Sequence, residues 1–190
     1  MMKEHELLAG GHRLAATTWG DVGNGRPTIV MMHGGLDCIS TWKDLPQVVA
    51  EASGWPVLAY DRHGYGRSER LAGGREPSYR REEAGPVLGE VLRHFHIDQT
   101  LMFGHSDGGA MSVLAAAAHP ERVCGVLACS PARPPWPLIN SWWMPWPVRG
   151  ARLNTRACAK NSSATTVREP TPCSGAGTSS GPARRRWSGT

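Results

Sequence analysis

The sequence predicts an α/β fold built on a mostly parallel central sheet with flanking helices. Between Arg13 and about Pro131, short apolar or β-branched runs alternate with longer helical stretches, which is typical of this class. Two of the runs, Thr28–Met32 and Thr100–Phe103, are apolar without alternation, as expected for strands covered on both faces. Charge and composition change abruptly after residue 130, so we confine the fold to residues 1–132 and predict a poorly structured tail over residues 133–190.

Five strands and three helices are predicted along the folded part. The strands are the apolar and β-branched runs Leu14–Trp19, Thr28–Met32, Pro56–Tyr60, Gln99–Gly104 and Val123–Ser130. The helical stretches lie near residues 41–52, 80–95 and 108–118. Pro86 lies inside the second stretch, where it removes a donor and crowds the preceding turn. We therefore expect that helix to begin near Glu83 or Pro86 and to end at His94.

The two parts of the chain differ in charge. Residues 1–130 hold 12 basic and 15 acidic residues, for a net charge of −3, whereas residues 131–190 hold nine basic residues and only Glu169, for a net charge of +8. The tail has five of the eight tryptophans but only five Ile, Leu, Val or Phe. That apolar share is below the roughly 20% under which a highly charged segment is expected to stay unfolded. The chain therefore reads as a globular part joined to an aberrant or disordered Trp/Pro/Arg-rich tail.

The sequence indicates a cytoplasmic protein. The first residues, MMKEHE, are polar and are followed by no apolar signal segment, and no apolar run approaches the ~20 residues that a membrane span needs. The five cysteines form no CxxC pair, and we expect Cys38, Cys124 and Cys129 to be buried packing thiols. No cofactor and no metal site are predicted.

The segment GHSDGG at residues 104–109 carries the strongest functional signal. It joins an apolar strand to an alanine-rich helix and fits Gly-x-Ser-x-Gly, a turn in which Gly104 and Gly108 relieve clashes beside a serine nucleophile. Such a turn raises the Ser106 hydroxyl at the carboxyl ends of the strands and offers the N–H of Asp107 to a developing negative charge. The alternative interpretation is an ordinary strand-to-helix turn.

A second segment supplies candidate oxyanion donors. The run His33-Gly34-Gly35-Leu36 directly follows the strand Thr28–Met32, from which such enzymes take the second oxyanion-hole N–H. Each donor of this kind lowers an acyl-transfer barrier by about 3 kcal/mol. Gly35 is the favoured donor and Leu36 the next, while Gly34, His33 and His105 are predicted to support the site.

A third segment, DRHGYGRS at residues 61–68, completes the pattern. Its glycines permit a sharp turn, and Asp61 and Ser68 can cap backbone groups within it, so its predicted role is mainly structural. In this order, HGG, DRHGYGRS and GHSDGG resemble the α/β-hydrolase superfamily of serine hydrolases, over roughly residues 10–132. The chain is similar in particular to the esterase, aminoacyl-ester hydrolase and carbon–carbon-bond hydrolase branches.

The resemblance implies an activity and a catalytic triad. It implies hydrolysis of a small-molecule ester or related acyl bond by Ser106, with an acid and a histidine following the serine in the chain. A serine at the nucleophile position argues against the haloalkane dehalogenase and epoxide hydrolase branches, which use Asp at that position. A cofactor-free perhydrolase stays possible, because it would share the same triad. The last histidine, His119, lies about 16 Å or more along the helix from Ser106, and the only acids after Ser106 are Asp107, Glu121 and Glu169.

We therefore expect this chain to be weakly active or inactive. His33, His63 and His105 lie near the predicted site and could act as substitute bases, but the resemblance gives them no such role. The tail composition is typical of GC-rich codons read out of frame, so our hypothesis is a truncated or frameshifted hydrolase, with a genuine extension as the alternative.

The tail also permits a different class of function. Its Arg184-Arg185-Arg186-Trp187 segment has the charge and aromatic content to contact nucleic acid, and Trp142, Trp143 and Trp146 could meet an anionic membrane. No RNA-binding signature accompanies the arginines, and Pro145 and Pro147 interrupt the tryptophans. We therefore expect no specific nucleic-acid or membrane partner. The sequence leaves the oligomeric state open.

Overall fold

A computed structural model of the chain describes residues 1–131, so the predicted tail lies outside the described residues. These residues form one six-stranded sheet. Its strands are β1 (Met2–Ala9), β2 (His12–Trp19), β3 (Thr28–Met32), β4 (Val57–Tyr60), β5 (Thr100–His105) and β6 (Val123–Cys129). Their order across the sheet is β1-β2-β4-β3-β5-β6. The pairs β4-β3, β3-β5 and β5-β6 are parallel, whereas β2 is antiparallel to both of its neighbours, β1 and β4. The mostly parallel sheet predicted from the sequence is confirmed.

Helices cover both faces of this sheet. They are α1 (Leu45–Ser53), α2 (Tyr79–Glu82), α3 (Leu88–His94) and α4 (Asp107–Ala118), together with a 3₁₀ turn at Ile39–Trp42 and a π turn at Glu83–Val87. No helix within residues 1–131 is long and apolar enough to cross a membrane.

Strand β3 lies at the centre of the core, and all five of its side chains are buried. Val30 and Met32 face one apolar cluster, which includes residues of α3 and α4, whereas Ile29 and Met31 face a second one, against which residues of α1 are packed. Alternate side chains of a strand point to opposite faces. An unbroken apolar run is therefore what a strand with two covered faces requires, as predicted.

Strand β1 was not predicted. It pairs antiparallel with β2 along its whole length, yet only Leu7 and Ala9 are buried among its eight residues. Its other residues are mostly charged or polar, because an edge strand gains backbone hydrogen bonds without having to bury its side chains. The hydrophobic signal that revealed the other strands is absent here.

The expected start of the second predicted helix near Glu83 or Pro86 was wrong, whereas its end at His94 is as predicted. The chain stays helical from Tyr79 to His94 and passes Pro86 inside the π turn. There the N–H of Leu88 reaches the carbonyl of Glu83, five residues back, which is the wider spacing of a π turn. The wider turn accommodates a residue that has no N–H and would crowd a regular α-helix.

The three cysteines within residues 1–131 are half-buried rather than buried, so that prediction was wrong. Cys124 and Cys129 lie on β6, which ends the sheet in the described part of the chain, and Cys38 lies in the loop after β3. Their position at the sheet edge and in a loop explains the partial exposure.

Candidate active site

Ser106 lies on a sharp turn between β5 and α4. Its backbone has φ +52° and ψ −112°, a conformation that side chains rarely adopt and that costs about 1–3 kcal/mol. Two hydrogen bonds hold it there, because the N–H of Ser106 donates to the carbonyl of Cys129 at 2.9 Å and its own carbonyl accepts from Ala110 at 3.2 Å. The turn puts Ser106 at the carboxyl end of β5, where the sequence motif predicts it.

Two glycines make this turn sterically feasible. A Cβ on Gly104 would lie 2.2 Å from the carbonyl oxygen of Gly108, and a Cβ on Gly108 would lie 2.0 Å from the carbonyl oxygen of Met32. Both contacts are with backbone, which cannot move aside as a flexible side chain can. The elbow glycines therefore allow α4 to approach the ends of β3 and β5 closely.

A cleft of about 500 Å³ opens beside Ser106. The hydrogen bonds within residues 1–131 leave the backbone N–H groups of Gly35, Leu36 and Asp107 without a protein acceptor. Gly35 lies close to the elbow, because a Cβ on it would be 3.7 Å from the Asp107 Cβ. The cleft is lined by Gly35, Leu36, Asp37, Tyr65, Tyr79, Arg80, His105, Ser106 and Asp107.

One buried guanidinium joins the two sides of this cleft. Arg62 is fully buried and donates to the carbonyl oxygens of His33 at 3.1 Å and Gly34 at 2.8 Å. The same group donates to the Asp107 carboxylate at 3.0 Å. Arg62 therefore fixes the loop after β3 and the elbow relative to each other.

The Asp107 carboxylate is held by three donors. Besides Arg62, it accepts hydrogen bonds from the Tyr79 hydroxyl at 2.9 Å and from Arg80 Nε at 2.6 Å. Burial acts to raise the pKa of Asp107, but the hydrogen bond from Arg80 and the charge of Arg62 outweigh it and hold this pKa below its usual value. The residue after the serine is therefore an ionised anchor that orients the start of α4.

His33 is fixed in a buried position. Its Nδ1 donates to the carbonyl of Gly34 at 2.8 Å, and its Nε2 accepts the N–H of Arg62 at 3.1 Å. Burial and the Arg62 charge lower the pKa of His33 to about 4, so the ring is neutral. Both ring nitrogens are occupied, which leaves His33 no site for a further proton.

His105, His63 and His119 also contact other protein groups. His105 lines the cleft, and its Nδ1 lies 3.4 Å from the Asp37 carboxylate. His63 stacks on His12 with ring centroids 3.6 Å apart, and His119 Nε2 lies 2.8 Å from the carbonyl oxygen of Gly85. Within residues 1–131, no histidine is hydrogen-bonded to the hydroxyl of Ser106.

The loop at residues 61–68 has the capping bonds that were predicted for it. The buried Asp61 carboxylate accepts the N–H groups of Ile39 at 2.6 Å and Arg67 at 2.9 Å. The Ser68 hydroxyl donates to the Asp61 carbonyl and accepts the N–H of Ala15 at 2.9 Å. These hydrogen bonds connect the loop to β2 and to the segment around Ile39, which follows Gly34 and Gly35 in the chain.

Sequence reasoning missed Arg62, Tyr79 and Arg80. All three bind Asp107, from which they are separated by 45, 28 and 27 residues. Arg62 directly follows the capping residue Asp61 after the end of β4, a position that does not show where its side chain points. Nothing in the spacing of Tyr79 and Arg80 indicates their partner.

Comparisons with known proteins agree with this architecture. The sequence model of the alpha/beta hydrolase fold family matches residues 27–170, past the end of the predicted domain at residue 132. Epoxide hydrolase B of Mycobacterium tuberculosis is 31% identical over 132 residues, which are 68% of this chain and 36% of the relative. The 2-hydroxy-6-oxononadienedioate/2-hydroxy-6-oxononatrienedioate hydrolase of Cupriavidus pinatubonensis is 33% identical over 135 residues, which are 70% of this chain and 44% of the relative.

A solved structure gives the same result. The thioesterase domain from the curacin biosynthetic pathway aligns with a TM-score of 0.57 and 26% identity, over 67% of this chain and 44% of that one. The chain thus spans less than half the length of these relatives.

Proposed function

The chain belongs to the alpha/beta hydrolase family, and from that premise we propose that its Ser106 hydroxyl attacks the carbonyl of a small-molecule ester or related acyl substrate. The observation that carries the proposal is the elbow itself. Ser106 has a positive φ at the edge of a cleft where the N–H groups of Gly35, Leu36 and Asp107 have no acceptor among residues 1–131. Strain of this kind persists only where surrounding structure enforces it.

The proposed mechanism begins with attack of the Ser106 oxygen on the substrate carbonyl carbon. The carbonyl oxygen becomes an oxyanion, which the N–H groups of Gly35 and Asp107 stabilise, with Leu36 as the alternative to Gly35. The Ser106 hydroxyl proton passes to solvent water, and collapse of the tetrahedral intermediate breaks the bond to the leaving group, which takes up a proton from water and leaves an acyl-enzyme. A second water molecule then attacks the acyl-enzyme, which releases the carboxylic acid and restores the Ser106 hydroxyl. The guanidinium of Arg62 and the carboxylate of Asp107 position these donors. No cofactor enters the proposed reaction.

We also propose that this 190-residue chain turns over slowly. The attacking hydroxyl needs a base, and the buried His33 has both nitrogens engaged while His105 faces Asp37. Oxyanion stabilisation and substrate binding alone give a residual acceleration of about 10³–10⁴ over water when a triad is broken. We expect this chain to accelerate hydrolysis over the uncatalysed reaction by a factor of that order.

The proposed substrate class rests on the proposed nucleophile. The relatives include an epoxide hydrolase and a 2-hydroxy-6-oxononadienedioate/2-hydroxy-6-oxononatrienedioate hydrolase, and the structural neighbours include a thioesterase domain. A serine nucleophile forms an acyl-enzyme, so ester, thioester and carbon–carbon acyl substrates fit it better than epoxides do. A cleft of about 500 Å³ is of a size suited to a small molecule.

Two readouts test the proposal. A fluorophosphonate probe should label wild-type protein, and hydrolysis of p-nitrophenyl acetate should exceed the buffer rate. Ser106→Ala should abolish both, whereas Ser53→Ala, at the exposed end of α1, should leave both unchanged. If wild type and Ser106→Ala are labelled to the same extent and hydrolyse the ester at the same rate, Ser106 is not the nucleophile. Fast turnover that depends on Ser106 would instead refute the proposed impairment.

A further inference from the structure

Three side chains with metal-binding atoms meet outside the cleft. His12 lies at the start of β2, while His63 and Glu69 lie in the loop that follows β4. One ligand atom from each lies within 4.8 Å of the other two. None of them lines the cleft, so the proposed hydrolase function does not use this cluster.

The backbone under the cluster is fixed by hydrogen bonds. The N–H of Gly64 donates to the carbonyl of Glu69, and the N–H of Glu69 donates to the carbonyl of Arg13, both at 2.8 Å. The Glu69 carboxylate also accepts the N–H of Arg13 at 3.1 Å. The loop and the start of β2 therefore hold the three residues at set positions before any ligand binds.

The side chains approach one another closely enough to share one ion. The rings of His12 and His63 are stacked with their centroids 3.6 Å apart and their planes at 12°, and the His12 Nδ1 lies 3.2 Å from the Glu69 Oε1. Imidazole nitrogens and carboxylate oxygens are both ligands that transition metals use in proteins.

We propose that His12, His63 and Glu69 bind a divalent transition-metal ion, with Zn²⁺ as the best match and water completing the shell. Two imidazoles and one carboxylate form a ligand set that zinc uses in proteins, with bonds of about 2.0–2.2 Å. Tetrahedral angles then put neighbouring ligand atoms roughly 3.3 Å apart. His12 Nδ1 and Glu69 Oε1 already lie 3.2 Å apart.

The other distances between ligand atoms must shorten before the three side chains can bind one ion. The largest is at most 4.8 Å, and the side chains of His12 and Glu69 are 40% and 47% exposed, so they can rotate without disturbing the core. The stacked rings must tilt towards each other to bring their lone pairs onto one ion. Spacing along the sequence hides this set, because His12 and Glu69 are 57 residues apart, which is why no metal site was predicted.

Bound metal would connect β2 to the loop that carries Arg62 and Tyr65. Arg62 fixes the candidate oxyanion loop, and Tyr65 lines the cleft. An ion bound on the outer side of the loop that carries them would therefore stabilise the wall of the cleft. Ligands that bind only the folded state raise its stability. Zn²⁺ should therefore raise the unfolding temperature.

The test is calorimetric titration of the chelator-treated full chain with Zn²⁺ at about pH 7.5, where imidazoles are neutral. We expect one site whose affinity falls at least about tenfold in His12→Ala and in His63→Ala, and also in Glu69→Gln, which preserves the shape of the side chain. The control is His94→Ala, an exposed histidine of α3, which should bind like wild type.

A second readout separates this site from binding at the thiols. Co²⁺ bound by imidazole and carboxylate gives a visible spectrum without a thiolate charge-transfer band, and we expect that spectrum to be lost in His12→Ala. Absence of binding to wild type, or equal zinc affinity in wild type and all three site variants, would overturn the proposal. Circular dichroism of each variant establishes that a lost site is not a lost fold.

Discussion

Replacing Arg62 by methionine should destabilise the protein strongly. The substitution keeps most of the side-chain length but removes the buried guanidinium that binds the Asp107 carboxylate and the carbonyls of His33 and Gly34. Asp107 would keep Tyr79 and the partly exposed Arg80 as its donors. The carbonyls of His33 and Gly34 would lose a charged donor.

The expected loss follows from the burial of this pair. The side chains of Arg62 and Asp107 are 0% and 6% exposed, so their interaction is little screened by solvent. Removing one partner of a buried ion pair costs about 3–5 kcal/mol when the other group is left uncompensated; because Tyr79 and Arg80 still bind Asp107, we expect a loss at the lower end, about 3 kcal/mol. At a typical slope for a small domain, such a loss lowers the urea midpoint by roughly 2 M.

Urea unfolding measures this effect directly, and Arg67→Met provides a matched control. Arg67 pairs with Glu4, but these side chains are 49% and 61% exposed, so we expect that variant to lose less than about 1 kcal/mol. A loss in Arg62→Met no larger than that of Arg67→Met would refute the assigned role of Arg62. The variant should also label more slowly with a fluorophosphonate, because its oxyanion donors are no longer fixed.

Two further predictions concern His33 and Gly108, which lie beside the same cleft. Burial and the Arg62 charge lower the folded-state pKa of His33 to about 4, below the unfolded value of about 6.5, so the unfolded state takes up the proton first on acidification. Stability should therefore fall by on the order of 3 kcal/mol from about pH 6.5 to about pH 4, and His33→Gln should flatten that slope; parallel pH profiles would contradict this. Gly108→Ala puts a Cβ 2.0 Å from the Met32 carbonyl and should cost at least about 1–3 kcal/mol and abolish fluorophosphonate labelling, whereas Gly125→Ala, with its nearest contact at 3.5 Å, should change little. Comparable urea midpoints for the two alanine variants would show that the elbow tolerates a side chain.

Local patterns were sufficient for the features that depend on local physics. The buried strands appeared as apolar runs, and β3 has the predicted bounds, Thr28–Met32, because both faces of a central strand must be apolar. The elbow was visible because its steric requirement falls on Gly104 and Gly108, next to the serine. The edge strand β1 was not visible, because backbone pairing alone makes no demand on side-chain polarity.

Contacts between distant segments required the structure. The bond from Arg62 to Asp107 depends on the order in which strands pair, and so does the meeting of His12 with His63. A charged residue in a glycine-rich loop carries the same sequence signal whether it points into solvent or into the core. The sequence therefore predicted the elbow and the candidate oxyanion donors but not the groups that hold them.

The sheet order explains why three separate motifs form one cleft. Strands β4, β3 and β5 are neighbours in the sheet although β3 precedes β4 in the chain, and all three run parallel. Their carboxyl ends therefore lie side by side, and Met32 at the end of β3 pairs with Gly104 of β5. The loop after the central strand has the elbow on one side and Arg62 on the other, so a single guanidinium can reach the backbone of that loop and the carboxylate beyond it. A lysine at position 62 carries the charge on a single nitrogen and could not reproduce this fork of donors, so we expect Arg62→Lys to recover only part of the stability lost in Arg62→Met.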